Sequence, residues 1–324
     1  LKSQKLVLEL LLADRPDDAY ANLVLPGLLA ERGLSGRDAG FATELAYGTL
    51  RLRGRYDAIL AMCSSRGLNE IDPKVLDALR LGTHRVLGMR VAQHAAVSES
   101  VDLVRANSGP GAASFANAVM RQVTRADVEE WDRRLAERTE DPTELLGKRL
   151  AHPAWIVRAM RESLALDGGT APGSLESELV ALLEADNVAP AVTLVARPGL
   201  VGDSELNRAL EDGTITPGAL APTAWRLSGG SPDTLPAVRH GRMGVQDEGS
   251  QLVALALAAV TVTGTDSLWA DMCAGPGGKS ALLGAVLAQR ADECSCELSE
   301  SAQDASVRGE NSAAPESSAT SAHD

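Results

Sequence analysis

The chain has 324 residues, 44% of them hydrophobic, and a formal net charge of −13. That length leaves room for two or three domains with real cores, and the lack of any apolar run of about 18 residues excludes a membrane-spanning helix. Four cysteines (Cys63, Cys273, Cys294, Cys296) are too few and too scattered for a disulfide framework, and no basic-then-apolar leader opens the chain, so a reducing, cytoplasmic setting is expected. Cys294 and Cys296 form one Cys-x-Cys pair without a second, so no metal site is expected. The acidity is uneven. Residues 1–125 hold 16 Lys/Arg against 13 Asp/Glu, residues 126–290 hold 14 against 23, and the last 34 residues hold one Arg against eight acids. A surface for nucleic-acid phosphate therefore belongs in the N-terminal third.

Residues 1–125 read as helical throughout. Apolar residues recur at spacings of three and four in Leu6-Val7-Leu10-Leu11, in Leu45-Leu50-Leu52-Ile59-Leu60 and in Val75-Leu76-Leu79-Leu81. Asp72-Pro73 is a helix start, with Asp as N-cap and Pro in the first helical position. Asn107-Ser108-Gly109-Pro110-Gly111 is a turn between two further helices. Arg51, Arg53 and Arg55 alternate in sequence, with Arg80, Arg85 and Arg90 further on. They read equally as a basic face for RNA backbone and as an ordinary solvated helix face. Only 3% of the chain is aromatic, so any RNA recognition here works through charge and shape rather than base stacking.

Residues 126–150 are charged and helical and read as a connector. A small α+β region follows over 151–244. His152-Pro153 opens one helix and residues 174–185 form another. Residues 191–196 form a strand, closed by Arg197-Pro198-Gly199, then come a short helix at 206–210 and a strand at 223–227. Within Val245-Gln246-Asp247-Glu248-Gly249-Ser250-Gln251, Asp247 and Ser250 are placed to cap an apolar helix over 252–259.

The segment Leu268-Trp269-Ala270-Asp271-Met272-Cys273-Ala274-Gly275-Pro276-Gly277-Gly278-Lys279-Ser280 reads as a strand over 268–272, a glycine loop and the N-terminus of a helix over 279–289. α/β folds hold polar cofactors with that arrangement. The phosphate-binding P-loop needs a glycine where Cys273 stands, and the spacing of Gly275, Gly277 and Gly278 does not match the dinucleotide fingerprint. A nucleotide-binding P-loop and a glycine turn without a ligand are the weaker readings. From Ala291 onward, eight of 34 residues are Ser and only Leu298 and Val307 are large and apolar, a composition expected to be disordered.

Asp271-x-Cys-Ala-Gly-Pro-Gly-Gly-Lys-Ser resembles the S-adenosylmethionine loop of RNA cytosine-C5 methyltransferases of the Sun/RsmB type. Gln93-His94-Ala95-Ala96-Val97-Ser98-Glu99-Ser100-Val101 and Phe115-Ala116-Asn117-Ala118-Val119-Met120-Arg121 resemble two helices of the NusB-type RNA-binding domain that precedes the catalytic region in that family. The bottom-up reading of His94 and Asn117 is simpler, as satisfied polar groups at a helix end and in a core.

The resemblance implies a multidomain chain: an all-α NusB-like domain (1–125), the connector (126–150), the α+β subdomain (151–244), the first strand-loop-helix of a Rossmann-like α/β methyltransferase domain (245–290) and a tail (291–324). It implies S-adenosylmethionine as cofactor, with Asp271, Cys273, Ala274, Gly275, Pro276, Gly277, Gly278 and Lys279 around it and Glu297 toward its ribose. It also implies small-subunit (16S) rRNA as partner, with Arg197 near the RNA. In the family a cysteine thiolate adds to C6 of cytosine so that C5 becomes nucleophilic, and a second cysteine assists release. Those cysteines lie on loops after the cofactor loop, one behind a proline. No Pro-Cys pair occurs in this sequence. No catalytic residue is assigned, and the chain reads as a truncated or frame-shifted member without turnover. The competing reading is a non-enzymatic NusB-like RNA-binding or transcription-antitermination factor.

Overall fold

The computed structural model describes residues 2–13, 21–166, 172–263 and 268–292. It divides into two units, Leu1–Ala189 and Pro190–Asp324.

The front unit is helical: α1 (Lys2–Ala13), α2 (Ala21–Glu31), α3 (Gly36–Arg51), α4 (Arg53–Cys63), α5 (Pro73–Leu87), α6 (Gln93–Val123), α7 (Val128–Arg138), α8 (Pro142–Arg149), α9 (Ala154–Leu166) and α10 (Pro172–Asp186). Asp-Pro pairs start two of them. The Asp72 carboxylate accepts from the Lys74 N–H at 2.8 Å with Pro73 in the first position, and Asp141 does the same for Thr143 at 2.7 Å ahead of Pro142. Each cap satisfies an N–H that the helix itself cannot, and replacing such a cap by Ala costs about 1 kcal/mol.

Helix α5 is the axis of this unit. Leu79, Leu81 and Ala78 are buried within a core that takes Leu6 and Leu10 from α1, Leu45 from α3, and Leu103 and Met120 from α6. Polar groups are buried along it too, and several of them are answered across a helix pair. Arg80 forks onto Asp57 of α4 with both nitrogens at 2.7 Å and reaches Asp77 at 2.7 Å. Arg85 pairs with Glu99 of α6 at 2.7 Å. The His84 ring meets the Tyr56 hydroxyl at 2.8 Å.

Helix α6 is broken at Gly109, whose φ of 84° and ψ of 178° are non-helical. A side chain is strained at that positive φ, so glycine at 109 is what lets two helical arms meet there. Pro110 then begins the second arm.

The rear unit holds β1 (Thr193–Ala196), α11 (Asp203–Glu211), β2 (Ile215–Pro217), β3 (Ala224–Leu227), α12 (Pro236–Arg239), β4 (Met243–Val245) and α13 (Glu248–Ala259), then α14 over 278–292. The strands form an antiparallel sheet in the order β2-β3-β1-β4, with Leu194 opposite both Trp225 and Val245. Successive β1 residues face opposite sides. Leu194 and Ala196 join Ile215, Leu227, Ala237 and Met243 on one side, while Val195 joins Ala254, Ala258, Leu282 and Leu283 on the other. A sheet of very short strands thus becomes the middle of a layered packing.

Two features differ from the sequence reading. Strands β2 and β4 have three residues each, too few to show a period of two. The strand expected at 268–272 is not formed: residues 268–272 carry no strand pairing, and Leu268 and Met272 are exposed. A strand exists only through a partner's N–H and C=O groups, and among the described residues none is placed beside it.

Candidate functional site

The glycine loop is organised by one carboxylate. Trp269 is partly buried against the cluster around Val195 and Leu282 and fixes where the loop leaves the core. Two residues on, Asp271 accepts the Cys273 N–H at 2.9 Å on one oxygen and the Ser280 hydroxyl at 2.6 Å on the other. It therefore ties the start of the loop to the first turn of α14. The Ser280 hydroxyl and then the Cys273 N–H hold its carboxyl below the usual aspartate range, with Lys279 adding positive potential.

Between those ties, Cys273 to Pro276 are exposed. Gly277 has φ +108°, which L side chains rarely adopt, and its carbonyl accepts the Ala281 N–H at 2.9 Å to begin the helix. The first N–H groups of an α-helix have no carbonyl of the helix to bond, and here that start lies at Gly278 and Lys279. The result is a rim of open backbone and positive potential, suited to a carboxylate or another small anion.

Gly278 lies alongside the Gln246 amide, which a Cβ there would meet at 3.6 Å. Gln246 is buried, donates to the Ser250 hydroxyl at 3.2 Å and leaves its Oε1 without a partner. The residues around it form a lattice that fixes α13 to the sheet. Asp247 caps the helix by accepting the Ser250 N–H at 2.9 Å. Gln251 donates to the Gln246 carbonyl at 3.0 Å and the Leu194 carbonyl at 3.3 Å, and accepts the Thr223 hydroxyl at 2.7 Å.

Glu248 grips the turn before β3 by accepting the N–H groups of Leu220 and Ala221, and pairs with Arg226 at 3.0 Å. The Leu220 N–H, joined by its neighbours and Arg226, pulls the Glu248 carboxyl down to about 2, against the opposing effect of burial. The sequence reading found the caps at Asp247 and Ser250 but not the grip of Glu248. An acid just inside a capped helix looks like a dipole partner, and nothing local shows that a distant turn will turn its N–H groups toward it.

The basic residues named from the sequence sit in different local settings. Arg51 ends α3 and is half-buried, Arg53 is exposed, and Arg55 pairs with Asp132 of α7 at 2.6 Å. Arg51 and Arg53 belong to different helices, and Arg53 and Arg55, two apart on α4, point to different sides of it. Arg197, just past β1, donates from Nη1 to the Gly241 carbonyl, while its Nε is buried without a partner.

Glu297, Cys294 and Cys296 lie outside the described residues. Cys273 is exposed, whereas Cys63 is half-buried and its thiol is pushed up to about 11, chiefly by burial. Among the described residues no three His, Cys, Asp or Glu side chains are grouped as metal ligands, and no helix is long and apolar enough to cross a membrane.

Comparison with known proteins adds the family context. Residues 2–125 match the NusB family. A Mycobacterium tuberculosis protein named as a methyltransferase is 46% identical over 282 residues, which are 87% of this chain and 59% of that protein. Ribosomal RNA small subunit methyltransferase B of Pseudomonas putida is 29% identical over 270 residues, 81% of this chain and 55% of its own. The crystal structure of PH0851 matches with a TM-score of 0.58 at 15% identity, over 88% of this chain and 60% of that one, a likeness of fold alone. The chain thus spans under two thirds of the length of these relatives. Over most of its length the chain is similar to proteins named ribosomal RNA small subunit methyltransferase B, and its front residues 2–125 match the NusB family.

Proposed function

We propose that this chain takes part in S-adenosylmethionine-dependent methylation of RNA, at C5 of a cytosine in small-subunit rRNA. Its helical front unit meets the RNA, and the loop from Asp271 to Lys279 meets the cofactor. The observation that carries the cofactor half is the double tie made by Asp271. One acid orders an exposed glycine loop against a helix N-terminus.

The residues present suit an amino-acid headgroup. Open N–H groups and Lys279 suit its carboxylate, and the space beside Gly275 is free of other atoms within 4 Å. Gln246 Oε1, a buried acceptor lacking a donor, lies beside the same helix start. When bound, S-adenosylmethionine supplies an electrophilic methyl group. The chain's own residues hold the headgroup and orient the loop. The opening of a Rossmann-like domain and the placement of Glu297 toward a ribose belong to the same proposal, as does Arg197 near RNA. No residue of this chain is assigned as the nucleophile.

Titration calorimetry with S-adenosylhomocysteine and with ATP tests the reading. Binding of the first without the second supports it. ATP binding alone turns the loop into a nucleotide site, and binding of neither removes the cofactor half. A second reading, a non-enzymatic RNA-binding or antitermination factor, draws on the NusB match over residues 2–125. It is favoured if RNA binds and neither cofactor does.

A further inference from the structure

The break at Gly109 divides α6 into two arms, and an open cleft of about 800 Å³ is lined by residues of both. His94, Ser98 and Arg105 line it from the first arm, and Ser114, Asn117 and Arg121 from the second. Within each arm these positions recur at three, four or seven residues, so each arm presents one continuous stripe. Val101 and Ala113 also line the cleft and are buried, which gives it an apolar floor beneath polar walls.

The walls are rich in donors. Arg121 is exposed and has no carboxylate partner among the described residues. Among the described residues Arg105 pairs only with Asp102 on its own arm, and both side chains are about half exposed, at 55% and 45%. Arg55, Arg80 and Arg85, by contrast, are engaged in ion pairs between helices. His94 and Asn117, which the sequence suggests are satisfied structural groups, both open onto this cleft.

We propose that the cleft holds a single-stranded stretch of RNA. Arg105 and Arg121 meet phosphates, and the amide and hydroxyl groups of Asn117, Ser98 and Ser114 meet ribose hydroxyls. Guanidinium, amide and hydroxyl groups are the side chains that contact phosphate and sugar, and a 2′-hydroxyl both donates and accepts, as those walls do. No Phe, Tyr or Trp lines the cleft, whose only aromatic ring among the described residues is the His94 imidazole, so the contact is mainly with the RNA backbone. The cleft is a recess between helices rather than a broad face, which suits one strand better than a duplex. The inference rests on the RNA half of the proposed function and is independent of the cofactor half.

Fluorescence anisotropy on the full chain tests it, using a labelled single-stranded fragment of small-subunit rRNA, the same fragment as a duplex, and a salt series. Arg121→Gln is expected to weaken single-strand binding several-fold and to reduce the salt slope by about 0.7, the value for one phosphate contact on a single strand. Asp102→Asn releases Arg105 and is expected to tighten binding two- to threefold, a gain that damage to the fold would not produce. Circular dichroism checks that both variants keep their helices.

Unchanged affinity and slope in Arg121→Gln overturn the proposal. So does a preference for the duplex, or an equal loss on Arg53→Ala, which would place the RNA elsewhere. Tighter binding of polyglutamate than of RNA would make the cleft a site for acidic protein and overturn it as well. If the chain binds no RNA at all, the cleft and the RNA half of the function fall together. If it binds RNA but not S-adenosylhomocysteine, only the cofactor half falls.

Discussion

The two units secure themselves by different means. In the front unit, charged side chains sit inside or beside a helical core and are answered by other side chains across helix pairs: Arg80 by Asp57, Arg85 by Glu99, Arg55 by Asp132. In the rear unit the decisive groups, Glu248 and Gln251, mainly grip backbone N–H and C=O groups of short strands and turns. A helix satisfies its own backbone, so its side chains are free to pair with one another. Three-residue strands leave many backbone groups exposed, so side chains are recruited to hold them.

The largest test of this contrast is Leu79→Ala. Leu79 is 1% exposed at the centre of the front core. Removing it should cost about 2–5 kcal/mol, seen as a lower urea midpoint followed by far-UV circular dichroism. A loss below 1 kcal/mol would mean that the core around α5 is looser than its packing indicates.

The loop comes next. Asp271→Ala unties both ends at once, and S-adenosylhomocysteine affinity should fall at least tenfold, about 1.4 kcal/mol, in calorimetry. Ser280→Ala removes one tie and should fall less. Equal affinity in all three proteins would show that the carboxylate does not shape the binding loop.

Acid separates the units further. Burial and then Arg51 push the His84 imidazole down to about 4, so the folded front unit favours the neutral ring. That contribution is complete above about pH 6.5, the ordinary histidine value, and is lost as pH falls through 4. Glu248 is likewise held low, at about 2, so its contribution is complete above the usual glutamate range and is lost as pH falls toward 2. His84→Gln should flatten the upper part of the stability-versus-pH curve and Glu248→Gln the lower part. If both variants alter the same window, the assignment of acid sensitivity to these groups is wrong. The smallest effect is Asp72→Ala, about 1 kcal/mol, confined to the start of α5.

Much of this was legible in the residues. The Asp72-Pro73 start, the break near Gly109, the helices before β1 and the cap at Asp247 all follow from local chemistry, because caps and breakers act within a few residues. The loop at Asp271–Lys279 was legible as a glycine turn at a helix start, and the tie from Asp271 to Ser280 closes it over nine residues. What stayed hidden depends on distant partners. Arg55 looked like one of three matched arginines until Asp132 arrived from α7. β2 and β4 are strands only because β3 and β1 lie beside them. The strand expected at 268–272 shows the same dependence, since an apolar run without a neighbour makes no ladder.

Trp131 carries one further consequence. Although it follows the NusB match, its ring is buried with Ile59 and Ala126, and its indole N–H donates to the Val123 carbonyl at 3.2 Å. Asp132 beside it holds Arg55 at 2.6 Å and Arg149 at 3.3 Å. Anyone excising the front module for solution work should therefore cut beyond Arg149. A fragment stopped at residue 125 would lay bare Ile59, strand Arg55, and report on a damaged particle.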